Sequence, residues 1–361
     1  MKVVLFGNDT EKNAAIRYRV VRFARMLEGD GHECVVCLPA SVEEQERLWN
    51  RGRPRKMLYL LLVLARRLAQ VRHVFGADAV FFRGPVFEYG PPLFERVIRL
   101  LNRRLVYDID DAVWEPPAYV SSPFLRFVDL DWIWKMCRMC AHGIVGNEYL
   151  KQHVEKHNPN VTVIPTCVDM NIHTTKTYSP ATMDNPVVLG WTGNHNNLGY
   201  FEVIAETLRE LGKRHNIVLS VASTREFQIE GVHVINHQWE LAHEIDYLKE
   251  ADVGLMPLTW SKRALGKCAF KALQYMAVGT PCVISPVGMN AEIIEDGVTG
   301  FLAATPDEWY HKLELLIANN GLRERMGRAA RQVVIERYSH DVCYPAFRDV
   351  MKRVARMDPL K

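Results

Sequence analysis

The chain has 361 residues, 48% of them hydrophobic and 24% charged, with no low-complexity tract. That balance excludes a disordered or fibrous protein and leaves room for two domains, each with its own core. The 45 basic and 42 acidic residues are dispersed and leave a net charge of +3, which speaks against nucleic acid as a partner.

The opening run Met1-Lys2-Val3-Val4-Leu5-Phe6 is broken by Gly7-Asn8-Asp9, too soon for the apolar core of a signal peptide, so a cytoplasmic protein is expected. Short apolar runs then alternate with longer amphipathic ones, the pattern of parallel strands joined by crossover helices. Strands are predicted near 2–6, 34–38, 79–83, 104–108, 143–146 and 161–164, and helices near 14–28, 57–74, 91–102, 123–141 and 147–156. Residues 169–186 are polar, carry two prolines and lack apolar periodicity, as an interdomain connection would. The alternation restarts with strands near 187–191, 217–222, 232–235, 252–256, 281–284 and 300–302, and helices near 198–214, 240–249, 266–278 and 289–295. From 306 onward only helices are predicted. The resulting division is an N-terminal Rossmann-like domain over 1–170, a linker over 171–186, a second such domain over 187–338, and a C-terminal helix over 339–361 that returns to the first domain. Two doubly wound sheets would face each other across a cleft, with function on the strand-to-helix loops.

Eight cysteines raise the question of metal, because Cys34/Cys37 and Cys137/Cys140 each have the two-residue gap of zinc sites. Cys34 and Cys37 fall on a strand, where positions three apart point to opposite faces, so they cannot chelate together. Cys137 and Cys140 share a helix face with Trp132, Ile133 and Met136 and read as packing. No metal is expected there, and the histidines, His195 and His237 included, form no ligand cluster. Gly7-Asn8-Asp9-Thr10-Glu11-Lys12-Asn13 lacks the Gly-x-Gly-x-x-Gly spacing, which disfavours a dinucleotide cofactor.

The stretch from Gly266 to Pro281 follows an apolar strand. A glycine at a helix mouth leaves backbone N–H groups beside the positive end of the helix dipole, and Lys267 and Lys271 lie one turn apart on the same side. This suits a diphosphate; a solvated basic face on a core helix is the plain alternative. In the first half, Tyr107-Asp108-Ile109-Asp110-Asp111 ends a buried strand with three carboxylates. Asp108 and Asp110 share a strand face and so invite a divalent-cation reading, while capping of the following turn is the simpler one.

The block 266–302, together with Val145-Gly146-Asn147-Glu148-Tyr149-Leu150 and Val163-Ile164-Pro165-Thr166-Cys167-Val168-Asp169, closely resembles the family 4 (group 1) retaining glycosyltransferases of the GT-B fold. The resemblance implies an α/β enzyme with an N-terminal acceptor domain and a C-terminal nucleotide-sugar domain. It would transfer a sugar from a nucleoside diphosphate sugar to an acceptor hydroxyl with retention, in surface polysaccharide or glycolipid synthesis. It further implies donor contacts from Gly193, Asn194, Lys267, Cys268, Ala269, Lys271, Gln274 and Glu292. Asp110 stands where the family has its active-site histidine, with Asp111 beside it, as the catalytic candidates. The loop from Gly7 borders the acceptor, and Arg17 and Arg19 could bind an anionic group on it. No metal or cofactor is implied. The sequence departs from the pattern in two places. The family's pair of glutamates separated by seven residues reads here as Gly266 and Gln274, and the diphosphate-binding arginine and lysine of the first loop of the second domain are missing from 190–197. Gln274 can still offer donor and acceptor groups to a ribose. The alternatives are a noncatalytic protein that binds nucleotide sugars on the same fold, or a sugar-nucleotide epimerase.

Arg51-Gly52-Arg53-Pro54-Arg55-Lys56 precedes the apolar run 57–65. The run is too short to span a bilayer, but a basic flank on a hydrophobic helix suits the surface of an anionic membrane, and relatives act on lipid-linked acceptors. A core helix preceded by a basic loop is the alternative.

Overall fold

The structure, a computed structural model, describes residues 1–49, 52–87, 91–115, 131–178 and 185–358. Residues 123–130 of the helix expected over 123–141, residues 179–184 of the expected linker, and Arg51 lie outside the described residues. The described chain forms two compact units, one of residues 1–115, 131–166 and 343–358, the other of residues 167–342.

The strands of the first unit are β1 (Lys2–Gly7), β2 (Glu33–Cys37), β3 (Ala79–Arg83), β4 (Leu105–Ile109), β5 (His142–Val145) and β6 (Val161–Val163), all parallel, in the order β2-β1-β3-β4-β5-β6. The near-continuous apolar runs of β1, β3, β4 and β5 are buried on both faces, as a parallel sheet covered by helices requires, while the edge strands β2 and β6 are partly exposed. After β1 the chain coils as α1 (Ala14–Ile16), a π-helical turn (Arg17–Val21) and α2 (Arg22–Gly29). Helices α3 (Val42–Leu48) and α4 (Arg53–Gln70), closed by a 3₁₀ turn over Val71–Val74, join β2 to β3. Helices α5 (Leu93–Leu101), α6 (Trp132–Met139) and α7 (Glu148–Val154) follow β3, β4 and β5.

Two of these helices differ from the sequence expectation. Helix α3 went unpredicted although Ser41 and Glu44 form a capping box at its start. Helix α4 begins at Arg53 rather than near 57, because Pro54 in its first turn is pre-set for helical φ, so the basic stretch is helix and not a preceding loop. The inner face of α4 packs Tyr59 and Val63 against Ala40 and Leu48. Arg67, fully buried, donates to the carbonyls of Cys37 (2.9 Å) and Gly7 (2.5 Å) and so ties α4 to the ends of β1 and β2. Cys34 and Cys37 both lie on β2, and all eight cysteines are free thiols.

The second unit repeats the plan with β7 (Val187–Thr192), β8 (Ile217–Ser223), β9 (Val234–Gln238), β10 (Val253–Met256), β11 (Cys282–Ile284) and β12 (Phe301–Leu302), in the order β12-β11-β10-β7-β8-β9. A 3₁₀ segment (His195–Val203) leads into α8 (Ala205–Arg214); α9 (Glu244–Glu250), α10 (Lys262–Leu265), α11 (Phe270–Val278) and α12 (Asn290–Ile293) follow. Then come α13 (Pro306–Ala318), α14 (Asn320–Val333), a π-helical turn (Val334–Tyr338) and α15 (His340–Ala355). Residues 167–178 fall with this unit: Lys176 is buried, its amide donates to Val278 and its ammonium bonds the Ala251 carbonyl. From Cys343 onward α15 belongs to the first unit, where Phe347 stacks on Phe23 (4.3 Å between ring centres) and meets Phe81 edge-on. No helix among the described residues is long and apolar enough to cross a membrane.

Both units contain a buried histidine that its surroundings keep neutral, His142 in the first and His173 in the second. His142 on β5 contacts the Thr162 hydroxyl, and His173 donates from Nδ1 to the Asp169 carbonyl. Burial pushes both pKa values down to about 4. The unfolded chain then binds more protons between the ordinary value of 6.5 and the folded value of about 4. Stability is therefore fully present above pH 6.5 and is lost as the pH falls through that window, by about 3 kcal/mol for each group. Urea-unfolding midpoints measured through this range should fall with acidification, and less steeply in His173→Gln than in the parent protein.

Candidate functional site

In a doubly wound sheet ligands bind outside the carboxyl ends of the strands, where the strand order reverses. In the second unit the chain leaves β7 on one side for β8 and β9 and returns on the other for β10, β11 and β12, so the reversal lies between β7 and β10. How closely α11 approaches this edge depends on the strand side chains. Gly254 in β10 has none, and a Cβ there would lie 2.6 Å from the Tyr275 ring, so the glycine lets α11 settle directly on the sheet. Tyr275 is fully buried.

That close seating brings the start of α11 to the loop after β7. Lys271 lies against Gly193: a Cβ on Gly193 would fall 2.5 Å from Lys271 Cε and 3.0 Å from Nζ. The ammonium also sits 5.3 Å from the centre of the Trp191 ring. Gly193 is fixed by β8, its amide donating to Ala222 (3.1 Å) and its carbonyl accepting from Ser223 Oγ (3.0 Å). Asn194 is exposed and uses its side chain to cap the 3₁₀ segment through the Asn196 amide. Trp191 and Ser223 were not singled out from the sequence, since nothing in their spacing shows what they meet.

The glycine expected at the helix mouth is displaced. Gly266 closes α10, and α11 begins four residues later, capped by Ala269. Ala269 has φ 51°, the only positive φ outside glycine among the described residues, and marks strain at the turn that starts α11. Cys268 and Ala269, expected among the donor contacts, are buried, Ala269 with no exposed surface at all. Lys267 and Lys271 are half-buried. Gln274 is buried, with 3% exposure, and its Nε2 has no hydrogen-bond partner among the described residues, an unusual state for a buried amide. The loop after β11 joins the same edge: Leu258 N donates to Ser285 Oγ (2.9 Å), and Gly288, at φ 57°, abuts the Leu265 carbonyl. Glu292, on α12 beyond it, is exposed.

The first unit ends its strands with charge. Arg19, carried on the π-helical turn, is buried and grips Asp108 through both oxygens, at 2.8 and 2.6 Å, while also donating to the Ile164 carbonyl. Arg83, at the end of β3, bonds Asp110 and lies 3.4 Å from Asp108. This corrects two sequence expectations. Arg19 is enclosed and holds Asp108 instead of meeting an acceptor. Asp108, with both oxygens on guanidinium groups, is not half of a cation site with Asp110. Among the described residues no His, Cys, Asp or Glu cluster is arranged to hold a metal ion. Arg83 was missed by sequence reasoning; its one signal was a charge closing an apolar strand.

Burial alone would raise the Asp110 carboxyl, but the charges of Arg83 and Arg19 outweigh it and hold the group below the usual carboxylate range. Asp110 is therefore an ionised acceptor at neutral pH, not a proton donor. Asp111 accepts from the Ala112 amide (2.9 Å) and caps its own turn. Arg17 bonds the carbonyls of Glu11 and Lys12, bracing the loop after β1. Gly7 is buried at the end of β1, where a Cβ would meet Ile16 and Leu38 at 2.8 Å.

The strand order of this unit reverses between β1 and β3. Asn8 and Gly84, on the loops after these strands, touch there, and Gly84 has φ 77°. Beside them is a cavity of about 250 Å³ whose lining includes Asn8, Asp9, Gln45, Trp49, Tyr59 and Phe87. Trp49 and Tyr59 meet edge to face, and the Lys56 ammonium lies 4.0 Å from the centre of the Trp49 ring.

Removing one partner of a buried ion pair leaves the other charge uncompensated. Arg19→Ala should therefore lower the unfolding free energy by about 3–5 kcal/mol in urea titrations. Nucleotide affinity of the folded fraction should stay unchanged.

Residues 220–333 match the family model described as glycosyl transferases group 1. An uncharacterized glycosyltransferase of Methanocaldococcus jannaschii is 27% identical over 154 residues, 39% of this chain and 38% of that relative, so the likeness spans well under half of its length. Among solved structures, the catalytic domain of starch synthase IV from Arabidopsis thaliana, bound to ADP and acarbose, superposes with a TM-score of 0.71 at 11% identity, covering 99% of this chain and 100% of that one. HepE of Anabaena in complex with UDP and glucose gives 0.67 at 13% identity, covering 98% and 100%. The chain thus has the GT-B fold, with a group 1 glycosyltransferase match over residues 220–333 of its second unit.

Proposed function

We propose that the protein is a family 4 glycosyltransferase that moves a sugar from a nucleoside diphosphate sugar to an acceptor hydroxyl with retention of configuration. The observation that carries this reading is the meeting of Lys271, the start of α11 and Gly193 at the point where the second sheet reverses. A helix N-terminus with lysine beside it stabilises the two charges of a departing diphosphate, and it does so without reorganisation during the reaction. Lys267 and Lys271 stand in for the basic residues missing from the loop at 190–197. The unpartnered Gln274 amide supplies hydrogen bonds that a donor hydroxyl can complete. Complexes of the Arabidopsis domain with ADP and of HepE with UDP are in keeping with a nucleotide ligand.

In the first unit the cavity beside β1 suits an acceptor sugar. Trp49, Tyr59 and Phe87 can cover the apolar face of a ring, and Asn8, Asp9 and Gln45 can bond its hydroxyls. Asp110, kept ionised by Arg83, can accept a hydrogen bond from an acceptor-sugar hydroxyl; it does not protonate a leaving group. The chemistry needs no metal on this reading, because the helix and lysines neutralise the diphosphate and the arginines occupy Asp108. The acceptor is a growing glycan or lipid-linked glycan, reached from the cytoplasmic side of an anionic membrane.

A thermal-shift series with UDP, GDP, ADP and CMP, each with and without EDTA, tests this directly. One nucleoside diphosphate should raise the melting temperature, and EDTA should not remove the effect. Lys271→Ala should weaken that ligand by roughly tenfold or more, the worth of one charge-assisted contact. Gly193→Ala, which displaces the Lys271 side chain, should weaken it in the same direction. Equal affinity in Lys267→Ala, Lys271→Ala and the parent protein would overturn the donor assignment.

A further inference from the structure

Helix α4 turns two different faces to its surroundings. Its inner face is pinned by Tyr59, Val63 and the buried Arg67. On the outer face Met57, Leu58, Leu61, Leu62 and Leu68 are all exposed, between 41% and 62%, and the only other residues on that arc are Ala65 and Ala69. At 100° per residue these positions cover one continuous stripe more than three turns long, with no polar side chain in it. A solvated helix of a soluble protein carries charge on that side.

The stripe does not end with the helix. The 3₁₀ turn that closes α4 packs against α5, and Phe75 just after it is 61% exposed. Right-handed crossovers place α4 and α5 on the same side of the sheet. Helix α5 repeats the pattern: Leu93, Val97, Leu100 and Leu101 face outward, Leu100 with 87% exposure. Single exposed leucines are ordinary, but two neighbouring helices whose outer faces are largely apolar, with Arg96 the one charge on that of α5, make a patch that calls for a partner.

Charge identifies the partner. Residues 51–104 contain twelve basic and three acidic residues, whereas the rest of the chain is net −6. Of the acids, Asp78 accepts from the Lys2 amide and Glu95 is buried against the Val86 amide; Glu88 lies outside the described residues. Arg53, Arg55 and Lys56 are exposed in the first turn of α4, where three cations oppose the helix dipole and so weaken the helix they belong to. Apolar side chains flanked by these cations, with no fully exposed acid among the described residues of 51–104, complement anionic headgroups over an acyl layer.

We infer that the outer faces of α4 and α5 form a docking surface for an anionic lipid bilayer, with the leucines entering the interface and Arg53, Arg55, Lys56, Arg96 and Arg103 meeting the headgroups. The inference rests on the membrane-side part of the proposed function and requires nothing of the transfer chemistry. Because the inner face of α4 contributes Tyr59, Leu60 and Val63 to the cavity beside β1, one helix links that cavity to the lipid surface.

Co-sedimentation of the full chain with phosphatidylcholine vesicles, with and without phosphatidylglycerol, tests it. Binding should require phosphatidylglycerol, weaken as salt screens the headgroups, and fall at least about tenfold in Leu61→Glu/Leu100→Glu, since each leucine loses its transfer to the apolar layer. Both sites are exposed, so the variant should keep the parent's melting temperature and its nucleotide-induced shift. No binding at low salt, or equal binding by parent and variant, overturns the inference. So does a parent dimer in light scattering that the variant dissolves, which would assign the face to a second copy of the chain. Vesicle binding without any nucleotide shift would instead overturn the donor reading and leave this one standing.

Discussion

The contact between the Tyr275 ring and Gly254 sets the height of α11 above its sheet, and the candidate donor site is a consequence of that height. Any larger residue in β10 would lift the helix, because its Cβ would fall within 3 Å of the ring. With the helix seated, Lys271 reaches Gly193 and Trp191, Ala269 adopts a left-handed turn, and the loop after β11 closes through Ser285 and Gly288. Strain at Ala269 persists because these neighbours over-determine it. Close packing of backbone, not a cluster of charged side chains, builds this site.

The first unit uses the opposite device at the ends of β3 and β4, one strand away from its own reversal. Its strands end in Arg83, Asp108 and Asp110, and the π-helical turn after β1 carries Arg19 in to neutralise them. A buried ion network is costly to desolvate and is stable only when every member is paired. Here the pairing fixes the protonation state of Asp110, which limits the chemistry open to it: a carboxylate held ionised can accept hydrogen bonds and stabilise positive charge but cannot serve as an acid. The same folding plan thus ends in a lysine beside a helix start in one unit and in a paired, charge-balanced network in the other.

Helix α4 joins stability, binding and surface properties in one element. Arg67 anchors it beneath the ends of β1 and β2, Tyr59 and Val63 shape the cavity, and its remaining side is apolar and uncovered within the described residues. Its Pro54 start extends the helix back through the basic residues, so these cations sit in the first helical turn, at one end of the apolar stripe, and not on a loop.

Periodicity in the sequence was enough for the alternation of strands and helices, the parallel sheets, and the helical tail, because each rests on which faces of a local element are apolar. Local capping signals such as Ser41 with Glu44 were also present, though α3 was passed over because its few apolar residues gave no helical stripe. The donor segment was legible through the glycine and lysines around α11, but its start was misplaced by four residues, since only φ at Ala269 shows where the helix begins. Tertiary structure alone decided which charges meet each other and which meet solvent. Arg19 and Asp108 are 89 residues apart and each looked available to a ligand, yet together they are a closed pair. The physical reason is that a strand or helix pattern specifies the face a side chain occupies, while the partner on that face is chosen by the packing of distant elements.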